Sequence, residues 1–201
     1  CLHASLEAGV NLIDTSANYT DGDSERLIGK VLAEYAGNRP FLMTKAGYIQ
    51  GSNLEAVEEL NKNGKAIQDL VEIDAQLKHS IHPEFLEHQL EQSLQNLGVS
   101  QIDCFLLHNP EYYFEDKLNY EINQENYMAR IKLAFEFLED KVQQGKIRYY
   151  GISSNNFPFA SEQEKVTNLN KVYQAAKEVS STNHFKAVQF PYNMIEQGAK
   201  T

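Results

Sequence analysis

Residues 83–108 read PEFLEHQLEQSLQNLGVSQIDCFLLH, and this stretch contains the repeating unit of the fold. Pro83 suits the first position of a helix, and Gly98 suits its end. Four leucines at helical spacing give the predicted helix one apolar face: Leu86, Leu90, Leu94 and Leu97. Residues 102–107 then form a short apolar run, which predicts a buried strand that ends at His108.

The same alternation of strand and helix extends along the whole chain. The predicted strands are 10–13, 41–44, 102–107, 147–152 and 187–190, and the predicted helices are 22–35, 83–97, 129–144 and 164–179. Strands that alternate with helices form right-handed βαβ units, and such units build a parallel sheet. Neither a linker nor an internal repeat interrupts the pattern, so we expect residues 1–201 to form a single domain.

Two parallel-sheet architectures compete, and the residues at the strand ends favour one of them. A doubly wound nucleotide-binding fold has a glycine-rich turn after its first strand, and this sequence contains no such motif. A (β/α)8 TIM barrel collects its chemistry at the carboxyl ends of its strands. The five predicted strands end at polar residues, which are Asp14, Lys45, His108, Ser153 and Gln189. Because a whole barrel takes about 250 residues, we expect an α/β partial barrel of about five strands. Such a partial barrel lacks one strand at the front and two strand–helix units at the back.

Composition and charge restrict the kinds of partner that the chain is expected to bind. The 201 residues carry a formal net charge of −10 and have a pI near 5.1, which disfavours nucleic acid or an anionic membrane as the main partner. The apolar runs are far shorter than the roughly 20 residues that a membrane span needs. The two cysteines, Cys1 and Cys104, lie far apart, which predicts a reducing, cytoplasmic environment and no disulfide framework.

Four side chains at or near the strand ends form a set with a coherent chemistry. Asp14, Lys45 and His108 each end a strand, and Tyr19 lies five residues beyond Asp14. A tyrosine hydroxyl is a poor acid at pH 7, but a nearby ammonium stabilises its phenolate and makes it a stronger one. A carboxylate keeps that ammonium charged, and a neutral histidine orients a carbonyl or shares the proton. Such a site suits protonation of a carbonyl oxygen while hydride arrives at the carbon.

The sequence resembles the aldo-keto reductase family in short blocks that keep the family's order. The blocks are 9–19 (GVNLIDTSANY), 24–29 (SERLIG), 44–45 (TK), 90–98 (LEQSLQNLG), 102–108 (IDCFLLH), 145–148 (GKIR), 151–153 (GIS), 188–189 (VQ) and 192–193 (YN). The resemblance implies a (β/α)8 barrel. It also implies a reductase that uses NADPH, or less often NADH, on a small carbonyl substrate.

The resemblance implies a role for each residue of the catalytic set. It implies that Tyr19 is the proton donor and that Lys45 and Asp14 are the pair that tunes it. It implies that His108 orients the substrate. No metal ion is part of this expectation.

The resemblance also implies that Ser153 and Gln189 hold the nicotinamide carboxamide of the cofactor. Their types fit this role, since an amide ligand needs both a donor and an acceptor. One departure affects this clamp. The family usually has Asn directly after the serine, where this chain has Ser154, with Asn155 one place later.

Alternative interpretations stay open at this point. The chain is compatible with a non-catalytic barrel of regulatory type that binds a nucleotide or a protein partner, because a fold does not settle function. A weaker alternative is a barrel enzyme that uses Lys45 as a Schiff-base nucleophile. An incomplete sheet exposes its edges, so self-association that covers those edges is a further expectation.

Three other features of the sequence carry separate predictions. Residues 47–80 are polar and contain several glycines, which predicts a long loop with one or two short helices. The spacing of His79, His82 and His88 does not match a metal site, so we expect solvated loop and helix-start histidines. Residues 111–116 mix acidic and aromatic side chains and either line the substrate mouth or form a surface loop.

Overall fold

The computed structural model describes residues 1–64, 66–116, 122–158 and 165–198. The helices are α1 (Leu2–Glu7), α2 (Asp23–Glu34), α3 (Ser52–Lys62), α4 (Pro83–Leu97), α5 (Gln124–Gln143) and α6 (Leu169–Val179). A 3₁₀ helix covers Pro110–Glu115. The strands are β1 (Leu12–Asp14), β2 (Phe41–Ala46), β3 (Tyr48–Ile49), β4 (Val71–Glu72), β5 (Lys78–His79), β6 (Ile102–His108), β7 (Ile147–Ser153) and β8 (Phe185–Gln189).

Five strands form one parallel sheet in the order β1-β2-β6-β7-β8. Helices connect the successive strands, as a βαβ path requires. The prediction of an α/β partial (β/α)8 barrel with about five parallel strands is therefore confirmed. Within the described residues, no helix combines the length and the apolar character needed to cross a bilayer.

The core lies between this sheet and helices α4 and α5. All four leucines of the predicted α4 stripe are buried, and Pro83 and Gly98 begin and cap the helix as expected, with Gly98 in the left-handed conformation. Every residue of β6 is buried, as an apolar strand covered on both faces should be. Cys104 lies in this strand as a free thiol, and Cys1 is also free.

A buried carboxylate ties α5 to the last two strands of the sheet. Glu139 on α5 accepts hydrogen bonds from the Tyr150 hydroxyl at 2.9 Å and from the backbone N–H of His184 at 2.6 Å. The His184 Nδ1 also lies 2.9 Å from this carboxylate. Tyr150 lies on β7, and His184 directly precedes β8, so the carboxylate links three elements of the fold.

Several predicted boundaries differ from the observed ones, and strand β1 begins at Leu12 rather than at 10. Helix α5 begins at Gln124 rather than at 129, because the Asn123 side chain caps it by accepting from the backbone N–H of Asn126. Helix α6 begins at Leu169 rather than at 164, and residue 164 itself lies outside the described residues. Strand β8 begins at Phe185, two residues earlier than predicted, and ends at Gln189.

The largest correction concerns residues 47–80, which are not mainly a loop. They contain the eleven-residue helix α3 and a small antiparallel sheet in the order β3-β5-β4. A second apolar cluster holds this unit together and is formed by Ile49, Val57 and Phe85. Each of its strands is two residues long, which is too short for a periodic pattern in the sequence.

Candidate active site

The parallel sheet brings the five predicted strand-end residues to one edge. Asp14, His108, Ser153 and Gln189 are the last residues of their strands, and Lys45 is the next-to-last residue of β2. The register pairs His108 with Ser153 and Ser153 with Gln189. Because all five strands are parallel, these side chains share the carboxyl edge at which barrel chemistry occurs.

Lys45 is a buried cation with two oxygen partners. Its side chain is 1% exposed, and its Nζ lies 2.9 Å from Asp14 Oδ1. The same Nζ donates to the carbonyl of Thr15 at 2.7 Å. Asp14 is 35% exposed, so water reaches the carboxylate but not the ammonium. This arrangement stabilises the charged form of Lys45 inside the fold.

Tyr19 lies directly above this ion pair. The Nζ of Lys45 is 5.1 Å from the centroid of the Tyr19 ring, and the ring meets that of His108 edge-on at 6.2 Å. The loop turns sharply after Tyr19, where Thr20 and Asp21 both have positive φ. Tyr19 is 42% exposed, so its ring is open to a ligand from solvent. The structure therefore brings the four predicted catalytic residues together.

His108 is neutral at physiological pH because of its surroundings. Burial, the largest cause, and the neighbouring charge of Lys45 together lower its pKa from 6.5 to about 3. Its Nδ1 lies 3.0 Å from the hydroxyl of Ser16. A neutral imidazole offers one donor and one acceptor, so this site holds a hydrogen-bonding group rather than a second cation.

An aromatic wall beside His108 comes from residues that the sequence analysis did not select. Tyr48 on β3 meets His108 edge-on at 4.6 Å between ring centroids, and Tyr112 stands 5.4 Å from Tyr48. The Tyr48 hydroxyl accepts from Asn109 Nδ2 at 2.6 Å. Burial raises the pKa of Tyr48, which therefore stays protonated. Glycine at 47 was an available signal, because only a residue without Cβ lets β3 approach this strand end so closely.

The prediction of solvated histidines is wrong for His79. This residue is 1% exposed, and its Nε2 lies 2.7 Å from the carbonyl oxygen of His108. Burial lowers the pKa of His79 from 6.5 to about 4. His88 is exposed, and His82 is half-buried and caps α4 through its side chain. In the part of the chain that the structure describes, no three His, Cys, Asp or Glu side chains group to hold a metal ion.

The residues of segment 111–116 have different locations, and only one of them lies beside the predicted substrate site. Tyr112 belongs to the aromatic wall and stacks on His79 at 5.7 Å between centroids. Tyr113 and Phe114 are buried in the core instead. Glu111 Oε1 accepts from the backbone N–H of Asn155 at 2.8 Å, and burial raises the pKa of Glu111. One residue of the segment thus belongs to the aromatic wall, and Glu111 stabilises the turn after β7 through its hydrogen bond.

Ser153 and Gln189 lie side by side and are already hydrogen-bonded. The Ser153 hydroxyl donates to Gln189 Oε1 at 2.9 Å, and Gln189 Nε2 donates to Asp14 Oδ2 at 3.0 Å. The pair therefore offers the donor and the acceptor that an amide ligand needs, once the solvent-exposed contact with Asp14 opens. Ser154 is buried and bonded to Asn156 and Thr167, so its hydroxyl does not face a ligand.

A comparison with models of protein families shows the family to which this chain belongs. The model of the aldo/keto reductase family matches residues 1–200. The chain belongs to the aldo/keto reductase family. The membership agrees with the resemblance found in the sequence.

Relatives and solved structures of this family match between 54% and 97% of the chain. An NADH-specific methylglyoxal reductase of Escherichia coli is 32% identical over 114 residues, 54% of this chain and 30% of that protein. An aldo-keto reductase of Metarhizium robertsii is 27% identical over 198 residues, 93% of this chain and 46% of that one. A solved glycerol dehydrogenase of Gluconobacter oxydans aligns with a TM-score of 0.62 and 24% identity, over 97% of this chain and 45% of its own. This chain therefore spans less than half the length of these proteins, and the last comparison supports the fold alone.

Proposed function

We propose that this chain carries the site of a reductase that converts an aldehyde or ketone to an alcohol with NADPH, or alternatively NADH. One observation supports the proposal above the others. A buried ammonium, Lys45, is held between a carboxylate and the face of an exposed tyrosine, with a neutral histidine beside them. These groups suit the delivery of a proton to a carbonyl oxygen.

Tyr19 is the group that would donate the proton. The positive charge of Lys45 favours the phenolate that remains after the transfer, and Asp14 keeps Lys45 charged and in place. His108 supplies a neutral hydrogen-bonding group next to the reacting oxygen. The aromatic wall of Tyr48 and Tyr112 would pack against the organic part of a small carbonyl substrate and exclude water from it.

Ser153 and Gln189 are the residues that would hold the nicotinamide carboxamide. The bound cofactor would supply the hydride to the carbonyl carbon. The name of the Escherichia coli relative includes NADH, so NADH stays in the proposal beside NADPH. We also propose that residues 1–201 act as a single domain in the cytoplasm.

A pair of tyrosine variants tests the proposal. Tyr19→Phe removes the phenolic hydroxyl, and Tyr173→Phe removes the hydroxyl of an exposed tyrosine on α6, outside the site. Oxidation of NADPH and of NADH is followed by absorbance with a panel of aldehydes and ketones. We expect Tyr19→Phe to lower kcat by at least about a hundredfold and Tyr173→Phe to match the unmodified chain. Equal activity of the two variants would remove Tyr19 from the mechanism.

A non-catalytic barrel of regulatory type is the second candidate. One observation favours this second candidate. Hydrogen bonds already join Ser153, Gln189 and Asp14, and they occupy the groups that would otherwise hold the nicotinamide carboxamide for hydride transfer. A fluorescence titration with NADPH and NADH separates the two. Binding without turnover of any carbonyl in the panel would favour the regulatory function.

A Schiff-base enzyme is disfavoured by the surroundings of Lys45. A lysine nucleophile attacks as the neutral amine, whereas Lys45 is held as an ammonium by Asp14 and the Thr15 carbonyl. Borohydride trapping with an aldehyde is therefore expected to leave Lys45 unmodified.

A further inference from the structure

The ring of His79 joins the small antiparallel sheet to the strand end that carries His108. His79 is 1% exposed and lies on β5, the central strand of that sheet. Its Nε2 lies 2.7 Å from the main-chain carbonyl oxygen of His108, 29 residues away in the sequence. This carbonyl lies where β6 ends and the chain turns, since Asn109 adopts the left-handed conformation. The ring therefore supplies a hydrogen bond to a buried carbonyl at the end of a strand.

The direction of this hydrogen bond follows from the chemistry and the distance. A carbonyl oxygen only accepts, so Nε2 of His79 carries the hydrogen. The flipped ring would place a carbon atom at this position, and a carbon atom approaches a carbonyl oxygen only to about 3.3 Å. Burial lowers the pKa of His79 to about 4, so the ring is a neutral donor at physiological pH.

The neighbours of the His79 ring restrict its position. Tyr112 stacks on it at 5.7 Å between centroids, and Tyr48 meets it edge-on at 5.7 Å. A Cβ added at Gly47 would lie 2.6 Å from His79 Nε2 and 2.7 Å from the carbonyl oxygen of His108. The donor and the acceptor thus meet in a space that exists because residue 47 has no side chain.

The residue after His79 bonds to the end of a second strand of the barrel sheet. The backbone N–H of Ser80 donates to the carbonyl oxygen of Gly47 at 2.9 Å. Gly47 directly follows β2 and lies two residues after Lys45. Two consecutive residues at the end of β5 therefore bond to the ends of the two strands that carry Lys45 and His108.

We propose that His79 is a positioning residue, whose Nε2–H bond to the main chain of His108 holds the His108 ring next to Tyr19. The bond fixes the backbone at the point where the ladder of β6 ends, and the side chain of His108 projects from that backbone. The consequence for turnover rests on the proposed reductase activity. A shift of about 1 Å in such a group can lower the rate about a hundredfold.

Two substitutions of His79 separate the hydrogen bond from the packing of the ring. His79→Phe keeps an aromatic ring and removes the donor, whereas His79→Gln keeps an N–H donor close to the position of Nε2. His88→Phe makes the first of these changes at an exposed histidine of α4 and is the matched control. If His79→Phe does not fold, as judged by far-UV circular dichroism, His79→Met takes its place, because a flexible thioether fills an irregular space.

Amide hydrogen exchange followed by mass spectrometry measures the position of the strand end without any need for turnover. In His79→Phe we expect residues 106–112 to exchange about fivefold faster or more, the equivalent of one lost hydrogen bond. Residues 102–104, at the start of the same strand, should change less. His79→Gln and His88→Phe should match the unmodified chain. Equal acceleration of both segments in His79→Phe would indicate a general loss of stability and would overturn the proposal.

Kinetics with the carbonyl panel then test the consequence for the site. We expect His79→Phe to lower kcat by at least about tenfold. The KM for the cofactor should stay nearly unchanged, since Ser153 and Gln189 lie on β7 and β8 rather than on β6. His79→Gln should recover most of kcat. A kcat in His79→Gln as low as in His79→Phe, or no loss in His79→Phe relative to His88→Phe, would contradict the positioning role. A failure of the reductase proposal would appear separately, as full activity of Tyr19→Phe or as no turnover in the unmodified chain, and the exchange measurement would still decide whether His79 holds the strand end.

Discussion

Removal of the two partners of the Lys45–Asp14 ion pair should have unequal effects on stability. Asp14→Asn leaves an ammonium that is 1% exposed without its counter-charge, whereas Lys45→Met leaves a carboxylate that is 35% exposed and can be hydrated. Breaking a buried pair costs about 3–5 kcal/mol when the remaining charge stays buried. We expect Asp14→Asn to lower the free energy of unfolding by about 3 kcal/mol, the low end of that range.

Lys45→Met should cost less, although it removes the same ion pair. It leaves the Thr15 carbonyl without its donor, a loss of about 1 kcal/mol, and it relieves the desolvation of the ammonium. Urea unfolding followed by far-UV circular dichroism at pH 7 measures both variants and the double variant. The double variant should lose less than the sum of the two single ones. A larger loss in Lys45→Met than in Asp14→Asn would refute the reasoning.

Three further predictions concern stability and are measured by the same unfolding experiment. Gly47→Ala should cost about 2 kcal/mol more than Gly64→Ala, because its Cβ would lie 2.6 Å from His79 Nε2, whereas Gly64 has nothing within 4 Å. Glu139→Ala should cost about 2–4 kcal/mol, since it leaves buried donors without an acceptor. The folded pKa values of His79 and His108, about 4 and about 3, lie below the unfolded value of 6.5. As the pH decreases, these histidines therefore bind protons in the unfolded chain before they do so in the folded chain. The free energy of unfolding should fall as pH decreases from about 6.5 to 4, and it should fall less steeply in His79→Gln.

The regular elements of the sheet could be predicted because their signals are local. Helix α4 combines proline at its start, glycine at its end and a leucine stripe, and its observed bounds match the predicted ones. Strand β6 is an unbroken apolar run of the kind that a parallel sheet buries. The strand-end residues followed from these assignments, because parallel strands bring their carboxyl ends to one edge.

The unit at 47–80 and the aromatic wall could not be predicted, because long-range packing creates them. Tyr48 pairs with His79, which lies 31 residues away in the sequence. Neither strand is long enough to show an alternation of apolar and polar residues. The burial of His79 depends on Tyr48 and Tyr112, which approach it only in the folded chain. The Ser16 contact with His108 spans 92 residues, although both lie near predicted strand ends.

Transfer of deuterium from the cofactor to the substrate tests the central claim most directly. The chain is incubated with NADPH or NADH deuterated at C4 of the nicotinamide ring and with the aldehydes and ketones of the panel, and the products are analysed by mass spectrometry. The proposed function predicts one deuterium on the carbinol carbon of the alcohol, and labelled product that forms at least about a hundredfold more slowly with Tyr19→Phe. Absence of labelled alcohol with every carbonyl tested, despite bound cofactor, would contradict it.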